Sequence, residues 1–217
     1  MTPAADRRRV GVLISGRGSN MMALLAAARA PDYPAEIAVV LANRADAAGL
    51  ALARAEGVPA IAVPGRAFGP DRLAHEAALG RELDRHGVEI VCLAGYLRLL
   101  TPWFVGRYGG RMLNIHPSLL PAFPGLDTHA RALAAGVKLH GCTIHLVTEG
   151  MDEGPILAQG AVPVLPGDDE AELAARVLAL EHRLYPVALR AFLGGERFLP
   201  AAGAVFCNPL PPPPLTP

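Results

Sequence analysis

The sequence predicts a single α/β domain: a mostly parallel, twisted sheet with helices on both faces. Three observations carry that prediction. Short runs rich in Val, Ile and Leu alternate with Ala- and Leu-rich stretches, the signature of repeated βαβ units. Gly57 and Gly87 stand where helical stretches end, as C-terminal stops do. Glu89-Ile-Val-Cys-Leu-Ala94 is almost wholly apolar, as a central parallel strand covered on both faces must be. At 217 residues the chain is long enough for one domain with a real core, expected over residues 1–200, with a Pro-rich tail at 201–217.

Composition narrows the function classes. Lys plus Arg equal Asp plus Glu at 20 each, so no net basic charge is present to neutralise a nucleic-acid backbone. Cys92, Cys142 and Cys207 are odd in number and far apart, and read as reduced thiols of a cytoplasmic chain. The apolar run Val10–Ile14 is a strand's length, too short for a signal peptide or a membrane span.

In order, Val10-Gly-Val-Leu-Ile-Ser15 reads as the first strand, Gly16-Arg-Gly-Ser-Asn20 as a glycine turn, and Met21–Arg29 as the first helix. Glycines let a backbone approach a ligand, and a helix start offers unpaired amides at the positive dipole end. Gly18, Ser19 and Asn20 therefore suit a phosphate, although Ser19 and Asn20 serve equally as plain caps. The third glycine of a dinucleotide fingerprint is missing, and the second strand, Ile37–Leu41, leads to Asn43 where an NAD site wants an acid. Asp46–Glu56 reads as a helix, Pro59–Val63 as a strand and Pro70–Arg85 as a third helix. Glu89–Ala94 then opens into Gly95-Tyr-Leu-Arg-Leu-Leu100, where Arg98 suits an anion and the bland reading of Tyr96, Leu97 and Leu99 is core packing.

Arg111–Ile115 is strand-like, and Pro117 should stop that strand at His116. Alternation puts Asn114 and His116 on one side and Leu113 and Ile115 on the other. The following Ser118–His129 loop leads into a helix from about Asp127. Gly141–Val147 and Ile156–Val164 read as strands joined by a loop rich in acids and glycines, with Asp152 near its middle. A single acid in such a loop is ordinarily a solvated turn residue. His140, Cys142 and His145 do not make a metal set, because alternation turns His145 away from the other two. Asp168–Leu193 reads as a long helix that Pro186 should kink or interrupt, with Glu181 and His182 facing solvent or the cleft. Pro211–Pro214 reads as extended chain without fixed structure.

Four of these stretches, Gly16-Arg-Gly-Ser-Asn20, Ala94-Gly-Tyr-Leu-Arg98, Leu113-Asn-Ile-His-Pro-Ser-Leu-Leu-Pro121 and Met151-Asp-Glu-Gly-Pro155, closely resemble the phosphoribosylglycinamide formyltransferases of purine synthesis. The likeness runs from about Val10 to Leu193. It implies that family's mostly parallel sheet and transfer of the formyl group of 10-formyltetrahydrofolate to the amino group of glycinamide ribonucleotide, the third step of purine synthesis. By matching position, Gly18, Ser19 and Asn20 correspond to the nucleotide-phosphate turn and Glu181 to a residue near the ribose. Arg72, Leu97, Arg98, Leu99 and Leu100 correspond to the folate site, which Asn114 also borders. Asn114, His116 and Asp152 correspond to the catalytic trio. Arg17 stands where asparagine is common in that family, in a turn that works through backbone amides. The resemblance implies a folate cosubstrate, no metal, small-molecule partners only, and a monomer or homodimer.

The chemistry follows from the residue types. When a neutral amine attacks a formyl carbon, a negative oxygen develops; Asn114 and a protonated His116 are donors for it, and losing one such donor typically costs about 2.7–4 kcal/mol of barrier. A carboxylate beside an imidazole favours the charged ring and can relay the amine's proton through water. The rivals are a formyltetrahydrofolate hydrolase, expected to carry a further N-terminal domain, and a silent folate- or nucleotide-binding module, which has no use for the whole trio.

Overall fold

The structure, a computed structural model, describes residues 7–194; the expected domain end at 200, the Pro-rich tail and Cys207 lie outside the described residues. The chain alternates as the apolar runs require: β1 (Arg8–Ile14), α1 (Ser19–Ala28), β2 (Ala35–Ala42), α2 (Ala48–Ala55), β3 (Ala60–Ala62), α3 (Arg72–Arg85) and β4 (Ile90–Leu93). It continues through α4 (Pro102–Arg107), β5 (Met112–His116), α5 (Thr128–Ala134), β6 (Leu139–Leu146), β7 (Ile156–Pro163) and α6 (Glu170–Leu193). A 3-10 turn over Gly65–Phe68 precedes α3, whose first turn is capped by the Asp71 carboxylate accepting from the Ala74 N–H at 2.9 Å.

The seven strands form one sheet in the order β3-β2-β1-β4-β5-β6-β7. Pairing is parallel from β3 through β5, then antiparallel between β5 and β6 and between β6 and β7. The chain winds outward from β1 to β3, then returns beside β1 and winds the other way. The carboxyl ends of β1 and β4 therefore flank the point where the strand order reverses, where α/β sheets leave a crevice for a ligand.

Each face has its own core. Val10, Val12 and Ile14 pack with Met21, Leu24, Leu50 and the α6 residues Leu173, Val177, Leu184 and Leu189. Leu13, Val39, Leu41 and Met112 pack on the other face with Leu79 and Leu83 of α3, with Phe104 of α4 and with Tyr108 just after it. Since Leu113 and Ile115 belong to the first core and Met112 to the second, Asn114 and His116 lie on the α3 and α4 side of β5.

The structure departs from the sequence reading at α6 and at α4, and it rules out the bland alternative at Leu97 and Leu99. α6 runs unbroken through Pro186, because Leu184, Tyr185, Ala188 and Leu189 are buried on both sides of it and outweigh the roughly 3 kcal/mol of an interior proline. Tyr185 also donates its hydroxyl to the Leu93 and Leu113 carbonyls at 3.1 and 3.2 Å, tying α6 to the sheet. α4 has no counterpart in the sequence reading, although Thr101-Pro102 is an N-cap followed by Pro at the first helical position. Leu97 and Leu99, whose bland reading was core packing, are 73 % and 60 % exposed.

Candidate active site

The glycine turn is shaped by contact with α2. Gly18 caps α1 at φ 75°, and a Cβ there would lie 3.0 Å from the Cα of Gly49, whose N–H bonds to the Gly16 carbonyl at 3.0 Å. Only glycine combines that left-handed backbone with that approach at no cost. The Met22 N–H bonds back to Gly18 O at 2.9 Å, so the amides before it point out of the helix end toward the crevice. Asn20, buried, donates from Nδ2 to Glu181 Oε2 at 2.7 Å, and this bond joins the start of α1 to α6. Burial raises the Glu181 carboxyl above its ordinary range, while the Asn20 bond pulls the other way. Asn20 Oδ1, also buried, has no hydrogen-bond partner among the described residues.

The segment after β4 runs along the same edge. Ser15 ties it to β1: its backbone N–H bonds Gly95 O at 3.0 Å and its Oγ accepts the Leu97 N–H at 2.8 Å. Leu100 packs partly into the α3/α4 core, leaving Leu97 and Leu99 as apolar side chains in solvent. The Arg72 guanidinium donates to Leu99 O. Arg98 does not reach out as a free cation: its guanidinium lies against Gly65, occupying the space a side chain there would need.

Strand pairing assembles the remaining groups. Asn114 of β5 stands directly opposite His145 of β6, and opposed residues of an antiparallel pair share a face. His145 Nδ1 lies 3.0 Å from Leu146 O, which can only accept, so Nδ1 carries the proton and Nε2 accepts from Asn114 Nδ2 at 3.1 Å. Burial is the main cause that lowers the His145 pKa, with the Leu146 hydrogen bond and then Asp152 opposing it, and the neutral ring is the form that the bond from Asn114 requires. His116 donates from Nε2 to Phe123 O at 3.0 Å and turns Nδ1 to Asp152 Oδ2 at 3.4 Å.

Asp152 is not a solvated turn residue. Its side chain is 12 % exposed, its Oδ2 accepts the Gly125 N–H at 2.8 Å, and its Oδ1 lies 3.7 Å from His145 Nε2. It adopts φ 57°, a left-handed backbone that Asp tolerates better than bulky residues do. Gly154 makes that loop possible, since a Cβ there would fall 1.7 Å from Leu146 O. Under His116, Thr143 Oγ1 donates to Ser118 O at 2.6 Å and accepts the Leu120 N–H at 3.0 Å, fixing the base of the 117–127 loop. Among the described residues no cluster of three or more His, Cys, Asp or Glu is arranged to hold a metal, and no helix is long and apolar enough to cross a membrane.

The family model described as formyl transferase matches residues 8–189. The chain belongs to the formyl transferase family. It is 44 % identical over 185 residues to the phosphoribosylglycinamide formyltransferase of Escherichia coli, covering 85 % of this chain and 87 % of that protein. It is 47 % identical over 191 residues to the trifunctional purine biosynthetic protein adenosine-3 of Drosophila pseudoobscura pseudoobscura, covering 87 % of this chain but only 14 % of that relative's length. The crystal structure of phosphoribosylglycinamide formyltransferase from Brucella melitensis superposes with a TM-score of 0.83 at 58 % identity, covering 87 % of this chain and 97 % of that one.

The formyl transferase match takes in every residue of the crevice. Gly18, Ser19, Asn20 and Glu181 gather at its α1 end; Leu97, Leu99 and Arg72 line the segment after β4; Asn114, His116 and Asp152 meet at the end of β5. His145 joins them without having been read as a site residue. Its signal was the polar pair Thr143 and His145 alternating with Cys142 and Ile144, which becomes informative only once β6 is known to lie antiparallel to β5.

Proposed function

We propose that this chain transfers the formyl group of 10-formyltetrahydrofolate to the amino group of glycinamide ribonucleotide, releasing tetrahydrofolate and the formylated ribonucleotide. The observation that carries the reading is the convergence of Asn114, His116 and Asp152 at the carboxyl end of β5, beside the open amides of α1. In this reading the nucleotide phosphate sits at Gly18–Asn20, with Glu181 toward the ribose, and the folate lies along Leu97–Leu100 near Arg72 and Arg98.

Neutral His145 takes one Asn114 N–H, leaving the second aimed at the oxygen that turns negative as the amine attacks. His116 supplies the other donor. Its Nε2–H is held by Phe123 O in the free protein, so the formyl oxygen displaces that carbonyl when substrate binds, as catalytic bonds often tighten only in the complex. Asp152 faces Nδ1, the ring nitrogen turned away from the donor, and is placed to relay the amine's proton through water. The folate brings its carbon already activated, so the protein supplies position and charge and the reaction calls for no metal. The chain acts on small molecules, as a monomer or homodimer, in the cytoplasm.

The test mixes the protein with both substrates and follows tetrahydrofolate release, with a control lacking the ribonucleotide. Release that depends on the ribonucleotide supports transfer. Equal release without it identifies a hydrolase instead, and none in either case marks a silent binding module.

A further inference from the structure

Glu76 lies on α3, is 2 % exposed, and takes no part in the reaction above. A carboxylate that deeply buried is costly unless hydrogen bonds replace its water. Both of its oxygens close on one residue: Oε1 accepts the Thr101 N–H at 2.9 Å and Oε2 accepts the Thr101 hydroxyl. Thr101 is the N-cap of α4, and its own side chain caps no helix amide. A glutamine would offer only one acceptor oxygen for the two Thr101 donors.

This anchor sits at one end of a short span whose other end is fixed by Ser15 accepting the Leu97 N–H. Between the two, Arg72 holds Leu99 O and Arg98 braces against Gly65. The charges of Arg98 and Glu76 both act on Tyr96 and on His75, which places them in one neighbourhood behind the segment. A backbone tied at both ends nevertheless presents Leu97 and Leu99 to solvent. Such side chains form a wall built in advance for an apolar ligand.

We propose that Glu76 is a positioning residue for the folate, acting through Thr101 to hold the 97–101 segment in its binding shape. The inference rests on the reading of this crevice as a formyl-transfer site. With the ordering done during folding, the folate does not have to immobilise the segment when it binds. Releasing the anchor therefore weakens the folate and leaves the nucleotide end, which is tied through Gly18, Asn20 and Glu181, as it was.

The experiment compares Glu76→Ala and Glu76→Gln with the parent protein, varying each substrate in turn. Glu76→Ala is expected to raise the KM for 10-formyltetrahydrofolate by about tenfold or more, with kcat and the nucleotide KM within about twofold, the pattern of lost uniform binding. Glu76→Gln, which keeps an acceptor for the Thr101 N–H, should fall between. Trp103, the chain's one tryptophan, lies two residues beyond Thr101 and reports the anchor without turnover: its fluorescence anisotropy should fall in Glu76→Ala. Both KM values rising together with a matching fall in melting temperature, or neither changing, would overturn the proposal. If Glu76→Ala does not fold, Thr101→Val removes the hydroxyl half of the clamp, and it must show the same folate-selective effect or the proposal fails. If the parent protein turns nothing over, the formyl-transfer reading fails; the anchor is then judged by Trp103 anisotropy and by tetrahydrofolate titration.

Discussion

Asn114 and His145 define each other's state. The Leu146 carbonyl fixes the proton on Nδ1, the free Nε2 fixes the amide's orientation, and burial keeps the ring from taking a second proton near neutrality. Because the His145 pKa is lowered from 6.5, the neutral form persists down to a pH below that value. Acid then turns Nε2 into a donor, breaks the bond from Asn114 and disorients the oxyanion donor. Activity should accordingly fall on the acid side, below 6.5. His145→Gln offers Asn114 an acceptor that does not titrate, so it should keep measurable turnover and lose that acid limb; a kcat–pH profile with the limb unchanged would reassign it to another group. Asp152 makes a separate test. Asp152→Asn keeps the shape and removes the charge facing His116, and should lower kcat at least tenfold, within the 10²–10⁴ ascribed to a positioned acid–base group. The nucleotide KM should change much less, because the loss falls on the transition state. Parent-like turnover would return Asp152 to a structural role in its loop.

At the level of elements, the crevice depends on two backbone arrangements that only glycine fits. One is the Gly18 turn, where α1 begins in a left-handed residue pressed against Gly49. Gly18→Val puts a β-branched side chain into both constraints, at a backbone cost of about 1–2 kcal/mol, and turns the amides away from the phosphate. Nucleotide KM should rise at least tenfold while tetrahydrofolate binding, measured by Trp103 fluorescence, stays near its parent value. Equal loss of both ligands would mean that the turn serves the fold alone. The other is Gly154, whose contact with Leu146 O lets the loop after β6 swing Asp152 back over β5. Strand ends and turns were legible in the sequence for the same reason: Pro117 and Gly18 act locally, through a missing donor and through φ. Pro186 was misleading because its cost is local, whereas the burial that overrides it comes from residues of β4, β5 and α6 far apart in the chain.

Across the whole molecule, alternation of strands and helices was enough to read the α/β sheet and its crevice, since parallel order follows from crossover helices. The antiparallel turn of β6 against β5 does not follow from that pattern, and with it the pairing of His145 to Asn114 and the buried setting of Asp152 were hidden. The same burial has a global consequence, because His75, His129, His140, His145 and His182 all have pKa values lowered by desolvation. A lowered histidine is neutral in the fold, while the unfolded chain takes up its proton near 6.5. Its contribution to stability is therefore complete above 6.5 and is lost as pH falls through the folded value. His140 is the extreme: 1 % exposed, edge-on to Phe123 and His129 at 5.9 and 5.2 Å, and pushed down to about 4. The Pro117 carbonyl, which favours the charged ring, is the weakest influence on it. A shift of that size is worth about 3 kcal/mol by pH 4, on the order of 10 °C in melting temperature for a domain of this length. Asp168, held down to about 2 by Arg176, gives up its share only below its ordinary 3.8 and so leaves this window clear. His140→Phe preserves an aromatic ring against Phe123 and removes the titration. Between pH 6.5 and 4 its melting temperature should fall by clearly less than the parent's, with the two converging near neutrality. Parallel curves would show that acid sensitivity resides in the other four histidines.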